Sequence, residues 1–224
     1  MKNVGGFAAG TLVHTDKGLV PIDKIEVGDT VLSKPESGEG ELVYKRVTET
    51  FVTENQPIWA MDIAGPYGLD ENGDDYDKRE FLFTTENHLF RTFERTGRYE
   101  IDTSNGKWVS ALSVATGDPL LHFSGKFVDV IESLDLYQTL EPNKAFYMIQ
   151  PSSDDGIVLD VDLYRNNTLR MPDYFSDESF MVSNWDENGN TIFDPYLTAV
   201  YNFEVEGFHT YFVGELGILV RSVC

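Results

Sequence analysis

Pro21-Ile-Asp-Lys-Ile25-Glu-Val-Gly28-Asp29-Thr-Val31-Leu32 can be laid over Ser110-Ala-Leu-Ser-Val114-Ala-Thr-Gly117-Asp118-Pro-Leu120-Leu121 at one constant offset. Ile25, Gly28, Asp29 and Val31 then face Val114, Gly117, Asp118 and Leu120. Each copy reads as a short helical turn, a Gly-Asp corner and a strand. Gly-Asp corners also recur by coincidence, but one such unit in each half of a chain predicts a pseudo-duplicated β architecture.

The rest of the chain reads the same way. Aromatic and β-branched runs of strand length recur between Gly, Asn, Asp and Pro clusters. They include Thr11–His14, Tyr44–Val52, Ile58–Ile63, Glu80–Thr84, Phe127–Ile131, Ile157–Tyr164, Tyr201–Val205 and Ile218–Val220. Tight turns are expected at Asp16-Lys17-Gly18, Glu71-Asn72-Gly73, Ser104-Asn105-Gly106 and Glu187-Asn188-Gly189, where Asn or Gly can take positive φ. Helical signal is confined to short turns at Pro21–Ile25 and Val109–Val114. The expectation is an all-β chain.

Composition narrows the function. The chain has 224 residues with 17 Lys+Arg against 38 Asp+Glu, a formal charge of −21. That balance excludes a nucleic-acid binder, which needs a cationic face. A single cysteine, Cys224, leaves no intrachain disulfide framework and no Cys-rich zinc site. His14, His88, His122 and His209 lie far apart, without metal-ligand spacing. No cofactor is implied. No apolar run is long enough to span a membrane, and the short run Gly5–Val13, broken by glycines, reads as structure rather than as a leader. Localisation is left open. Two acidic loops, Pro66–Asp77 and Asn184–Gly189, resemble calcium loops only superficially. Centring an EF-hand on their glycines puts Arg79 or Pro195 where the bidentate Glu belongs.

Four blocks carry a family resemblance. Gly6-Phe-Ala-Ala-Gly-Thr-Leu-Val-His-Thr15 with Pro21–Ser33, then Thr84-Thr85-Glu86-Asn87-His88, then Trp108–Leu121, and last Val200-Tyr-Asn-Phe-Glu-Val-Glu-Gly-Phe-His209-Thr-Tyr-Phe-Val213 with Gly217-Ile-Leu-Val220 stand in order along the chain. Together they closely resemble the Hedgehog/intein (Hint) superfamily, nearest to the intein-like domains of bacterial polymorphic toxins. The resemblance implies a pseudo-two-fold, horseshoe-like β fold. It divides the chain into a flank (1–5), a first Hint part (6–118), an acidic insertion (119–199), closing strands (200–222) and a second flank (223–224). The insertion carries four Lys/Arg against fourteen Asp/Glu. It is a candidate protein-binding surface, and its charge excludes a nuclease of the kind inteins carry.

The resemblance also implies a chemistry. A Cys or Ser at the first position attacks the preceding carbonyl and converts a peptide into a thioester or ester. A Thr-x-x-His pair beside that carbonyl, here Thr85 and His88, stabilises the oxyanion and moves the proton. At the far end a terminal His-Asn pair, helped by an upstream His that maps to His209, releases the downstream segment. The partner implied is a flanking host polypeptide, with a toxin domain on its C-terminal side.

Both junctions depart from that pattern. The nucleophile position is Gly6, which has no side chain. Arg221 and Ser222 stand where His-Asn belongs. Serine has no side-chain amide to cyclise, and arginine stays protonated at neutral pH. The implied activity is autoproteolysis or splicing, and the expectation for this chain is an inert version of it. The competing expectation is a degenerate Hint fold serving as an acidic binding or spacer module. Replacement of the junction residues alone and natural loss of activity would both leave this pattern. Taken alone, His88 reads as a core histidine that caps a turn or bonds a backbone carbonyl, and His209 reads equally as a site residue and as a surface residue on a strand. The ordered blocks favour the site for His88.

Overall fold

In the computed structural model, which describes residues 5–65, 78–97, 100–148, 156–169, 182–189 and 191–222, the two echoed segments fold alike. Each opens with a single 3-10 turn, Ile22–Lys24 in one and Ala111–Ser113 in the other. Each then closes a corner on an aspartate. Asp29 Oδ2 accepts from Glu26 N at 3.0 Å, and Asp118 Oδ2 accepts from Ala115 N at 2.9 Å. Gly28 and Gly117 sit at φ +102° and +85°, a conformation that L side chains resist. Their amides donate to Val47 O and Val130 O, whose own residues donate back to Asp29 O and Asp118 O. The same hydrogen-bond pattern, written twice, is the pseudo-two-fold unit.

The strands are β1 (Phe7–Ala8), β2 (Leu12–Thr15), β3 (Gly18–Pro21), β4 (Thr30–Ser33), β5 (Val43–Pro57), β6 (Trp59–Ala64), β7 (Arg79–Thr84), β8 (Leu89–Arg95) and β9 (Ile101–Ser110). They continue as β10 (Pro119–Leu121), β11 (Phe127–Gln138), β12 (Lys144–Met148) and β13 (Gly156–Asp160), followed by the one-turn helix α1 (Val161–Arg165). The hairpin β14 (Ser183–Trp185) and β15 (Thr191–Phe193) precedes β16 (Leu197–Val205), β17 (Thr210–Val213) and β18 (Ile218–Arg221). The main sheet runs β10-β8-β18-β17-β2-β4-β5-β16-β1-β7-β6-β11-β12-β13. A further pairing of β10 with β11 closes this path on itself. All pairings are antiparallel, so the chain is all-β, as its alternating runs predict.

Two apolar clusters flank the short strand β1. Phe7 belongs to one, with Val13, Phe90, Phe203 and Tyr211. Ala8 belongs to the other, with Phe83, Leu159, Tyr164 and Val200. Successive strand side chains point to opposite faces, so two residues of β1 are gripped from both sides.

The described parts of segment 119–199 join this scaffold. They supply β10 to the closed path and β11 beside β6. Helix α1 starts where Asp160 caps the amides of Asp162 and Leu163. It docks through Tyr164, whose ring stacks on Phe83 at 3.9 Å and whose hydroxyl meets Thr11 Oγ1 at 2.6 Å and Phe83 N at 3.0 Å. Gly10, at φ +89°, permits that approach, because a Cβ there would lie 2.4 Å from Arg165 Cα.

Two local expectations differ from the structure. Ser104-Asn105-Gly106 is not a hairpin turn but an irregular stretch inside β9, where Thr92 pairs Lys107 and Glu94 already pairs Asp102. Its glycine serves packing, since a Cβ on Gly106 would sit 2.6 Å from the Phe93 ring. The run Ile157–Tyr164 is a strand only to Asp160 and then turns helical, because the aspartate cap offers the following amides a partner. Of Asn184–Gly189, Asn184 and Trp185 belong to β14 and only the residues after them turn, with Gly189 N bonded to Asp186 O at 3.0 Å and Gly189 at φ +81°. Pro66–Asp77, and with it Glu71-Asn72-Gly73, lies outside the described residues. Among the described residues no group of three His, Cys, Asp or Glu could hold a metal ion. No helix there is long and apolar enough to cross a membrane.

Candidate functional site: the two chain junctions

Strand β1 lies between β7 and β16, with Phe7 opposite Thr84 on one side and Tyr201 on the other. This register delivers the peptide before it to the end of β7. Gly6 N donates to Thr85 Oγ1 at 3.0 Å. Gly6 O accepts from Thr85 N at 3.0 Å and from Thr84 Oγ1 at 3.1 Å. The chain then turns, with His88 N bonded to Thr85 O at 3.2 Å. A Thr-x-x-His spacing is what such a turn needs to put a hydroxyl and an imidazole on the same peptide.

His88 is completely buried. The rings of Phe7, Phe90 and Tyr211 surround it at 4.4, 5.9 and 6.3 Å. Among the described residues no side chain hydrogen-bonds either ring nitrogen. Burial pushes the imidazole down to about 3, with the Gly5 backbone pulling the other way. The ring is therefore neutral at physiological pH. Gly5 is packed so close that a Cβ on it would stand 3.1 Å from His88 Nδ1 and 3.2 Å from Asn87 Oδ1.

One residue of this site escapes the sequence reading. Asn202, buried within β16, donates through Nδ2 to Gly5 O at 2.8 Å. Its Oδ1 accepts from Tyr211 OH and from Phe203 N, each at 2.8 Å. Tyr201-Asn202-Phe203 looks like part of an ordinary alternating strand. The available signal is an amide between aromatic residues on a strand whose neighbours belong inside.

The C-terminal junction arrives at the same strand. Ser222 Oγ donates to Phe203 O, one residue beyond Asn202, and Ser222 N donates to His209 O at 2.9 Å. The His209 side chain turns away from Ser222. It is half-exposed and bonds Glu204 through Nδ1, on a backbone at φ +55°. Arg221 points outward to Glu36 at 3.2 Å. The structure thus brings Gly6, Thr85 and His88 together at one junction and Ser222 beside them, with only the backbone of His209 reaching Ser222.

At position 6 the missing side chain has a steric counterpart. A Cβ built on Gly6 would lie 2.7 Å from Tyr201 O and 3.3 Å from Val200 Cβ. The first distance is closer than real Cβ atoms approach a carbonyl.

A closed, pseudo-duplicated β scaffold of this kind is the Hint fold, an intein-like autoprocessing fold. The solution structure of a bacterial intein-like domain from Clostridium thermocellum matches with a TM-score of 0.54 and 22% identity, over 97% of this chain and 98% of that one. A DnaB intein from a Synechocystis species matches with a TM-score of 0.51 and 11% identity, over 98% of this chain and 99% of that one. At these identities the likeness is one of fold. The model of the pretoxin HINT domain matches residues 12–151. The chain belongs to the pretoxin HINT domain family. That match includes Thr85 and His88 and stops short of Gly6, Arg221 and Ser222. No curated protein matches the sequence.

Proposed function

We propose that this chain is a Hint module of a longer pretoxin polypeptide whose two junctions are chemically disarmed, so that it holds its flanks rather than releasing them. The observation that carries the reading is at Gly6. Residue 6 has no side chain to attack with, and the Tyr201 carbonyl oxygen stands 2.7 Å from where its Cβ would go. Thr85 still bonds the peptide and His88 still packs against it, but nothing on residue 6 can attack it. At the other end Ser222 offers a hydroxyl where cyclisation needs an amide, and Arg221 is engaged with Glu36. The acidic segment 119–199 then serves as part of the scaffold and as a surface that a protein partner could recognise.

The test is intact mass of the chain carrying a tag at each end, followed over time with and without a small thiol. The unaltered chain is expected to stay a single species. Thiol-dependent loss of the upstream tag from Gly6→Cys would show the remaining machinery competent. Both Gly6→Cys and Gly6→Ala should lose about 1–3 kcal/mol of stability, the usual cost of forcing extra volume into a packed site. Self-cleavage of the unaltered chain would overturn the reading.

A further inference from the structure

We propose that Asn202 is the oxyanion donor for the Gly5 carbonyl, held for that task by Tyr211. The inference rests on the reading of Gly5–Gly6 as the N-terminal junction. Three observations carry it. Asn202 Nδ2 is 2.8 Å from Gly5 O, within the span at which donors stabilise a developing oxyanion. The amide is buried, so water does not compete for that oxygen. Its orientation is also fixed: with Oδ1 accepting from both Tyr211 OH and Phe203 N, the NH2 group can only face Gly5. An amide placed simply to fill a strand would need no such arrangement.

The bonds on the Gly5–Gly6 peptide divide cleanly between its two ends. Asn202 holds the carbonyl oxygen, and Thr85 Oγ1 holds the amide nitrogen. When a thiol at position 6 attacks the Gly5 carbonyl carbon, a C–S bond forms and the C–O π pair moves onto oxygen. The Asn202 N–H bond then strengthens as charge develops there. Collapse breaks the bond from carbon to the nitrogen of residue 6, which takes the proton that the thiol lost. The result is an isomerisation of amide to thioester, with no added reactant. Tyr211 acts through Asn202, whose Oδ1 it bonds; it is a positioning residue.

Gly5-Gly6 is the only Gly-Gly step in the sequence. Protein labelled uniformly with carbonyl-13C, 15N glycine therefore gives a single carbonyl-to-amide correlation, that of Gly5 C=O with Gly6 N. Asn202→Ala removes the donor outright. The Gly5 carbonyl resonance is expected to move upfield, and to move less in Tyr211→Phe, while the Gly6 amide proton keeps its bond to Thr85. In the Gly6→Cys chain, Asn202→Ala should slow thiol-driven release of the upstream tag by about 10²–10³-fold, the usual loss for one oxyanion donor. An unmoved Gly5 carbonyl, or equal release with and without Asn202, would overturn the proposal. If Gly6→Cys releases nothing, the claim of retained competence fails, and the carbonyl resonance of the unaltered chain still decides the role of Asn202.

Discussion

A neutral imidazole sealed among aromatic rings has a consequence for stability that can be read as a function of pH. Burial holds His88 down at about 3, and burial with the nearby charges of His14 and Lys126 holds His122 down at about 4. Unfolded histidine takes its proton near 6.5. Below that value the unfolded chain binds protons that the folded chain refuses, so stability falls as pH drops from about 6.5 towards 3–4. Each such group steepens the slope by up to about 1.4 kcal/mol per pH unit. Glu80 works the other way: burial raises its carboxyl, and protonation relieves that cost in the lower part of the window. Chemical denaturation of His88→Gln at a series of pH values should give a shallower slope between pH 6.5 and 5 than the parent. An unchanged slope would mean that the imidazole ionises freely in the folded chain.

Among the elements, helix α1 makes the most exposed claim. One turn of helix has little stability of its own, so its contribution must come through Tyr164. Tyr164→Phe keeps the stacking on Phe83 but leaves Phe83 N, which faces away from β6, without the hydroxyl it bonds. An orphaned buried amide costs about 1–3 kcal/mol. The denaturant midpoint should fall with the m-value unchanged. A midpoint within error of the parent would mean that α1 is an appendage rather than a brace for β1.

The same scale shows what could be read from the chain. Both Gly-Asp corners were legible because each needs a positive-φ glycine and a capping aspartate, local demands that leave a local signature. Thr85 and His88 were legible because one turn fixes their spacing. Asn202 was not, since its partner Gly5 lies at the other end of the chain and a strand position carries no mark of what it faces. The helical turn after Asp160 was hidden because Val161, Leu163 and Tyr164 fit a strand as well as a helix, and the aspartate that decides between them is a single residue. Gly106 looked like a turn glycine and is a packing glycine, two uses that one residue type cannot distinguish.

At the scale of the whole molecule, a formal charge of −21 sets up self-repulsion in the compact state. Raising sodium chloride from about 10 mM to about 150 mM shortens the screening length from about 30 Å to about 8 Å. The thermal midpoint should rise with salt over this range, and uncharged osmolyte at equal osmolality should not reproduce the salt profile. A fall with salt would mean that the ion pairs, such as Lys17–Asp29 and Arg221–Glu36, outweigh the net repulsion. The closed sheet has another effect on whatever it is joined to. Gly5 is held by Asn202 and Ser222 by Phe203, neighbours separated by about 3.4 Å of strand rise. Residues 5 and 222 are therefore pinned to adjacent positions of one strand, however long the chain folded between them. Segments joined at these two points would meet at about millimolar effective concentration, so that even a weak mutual affinity would keep them associated.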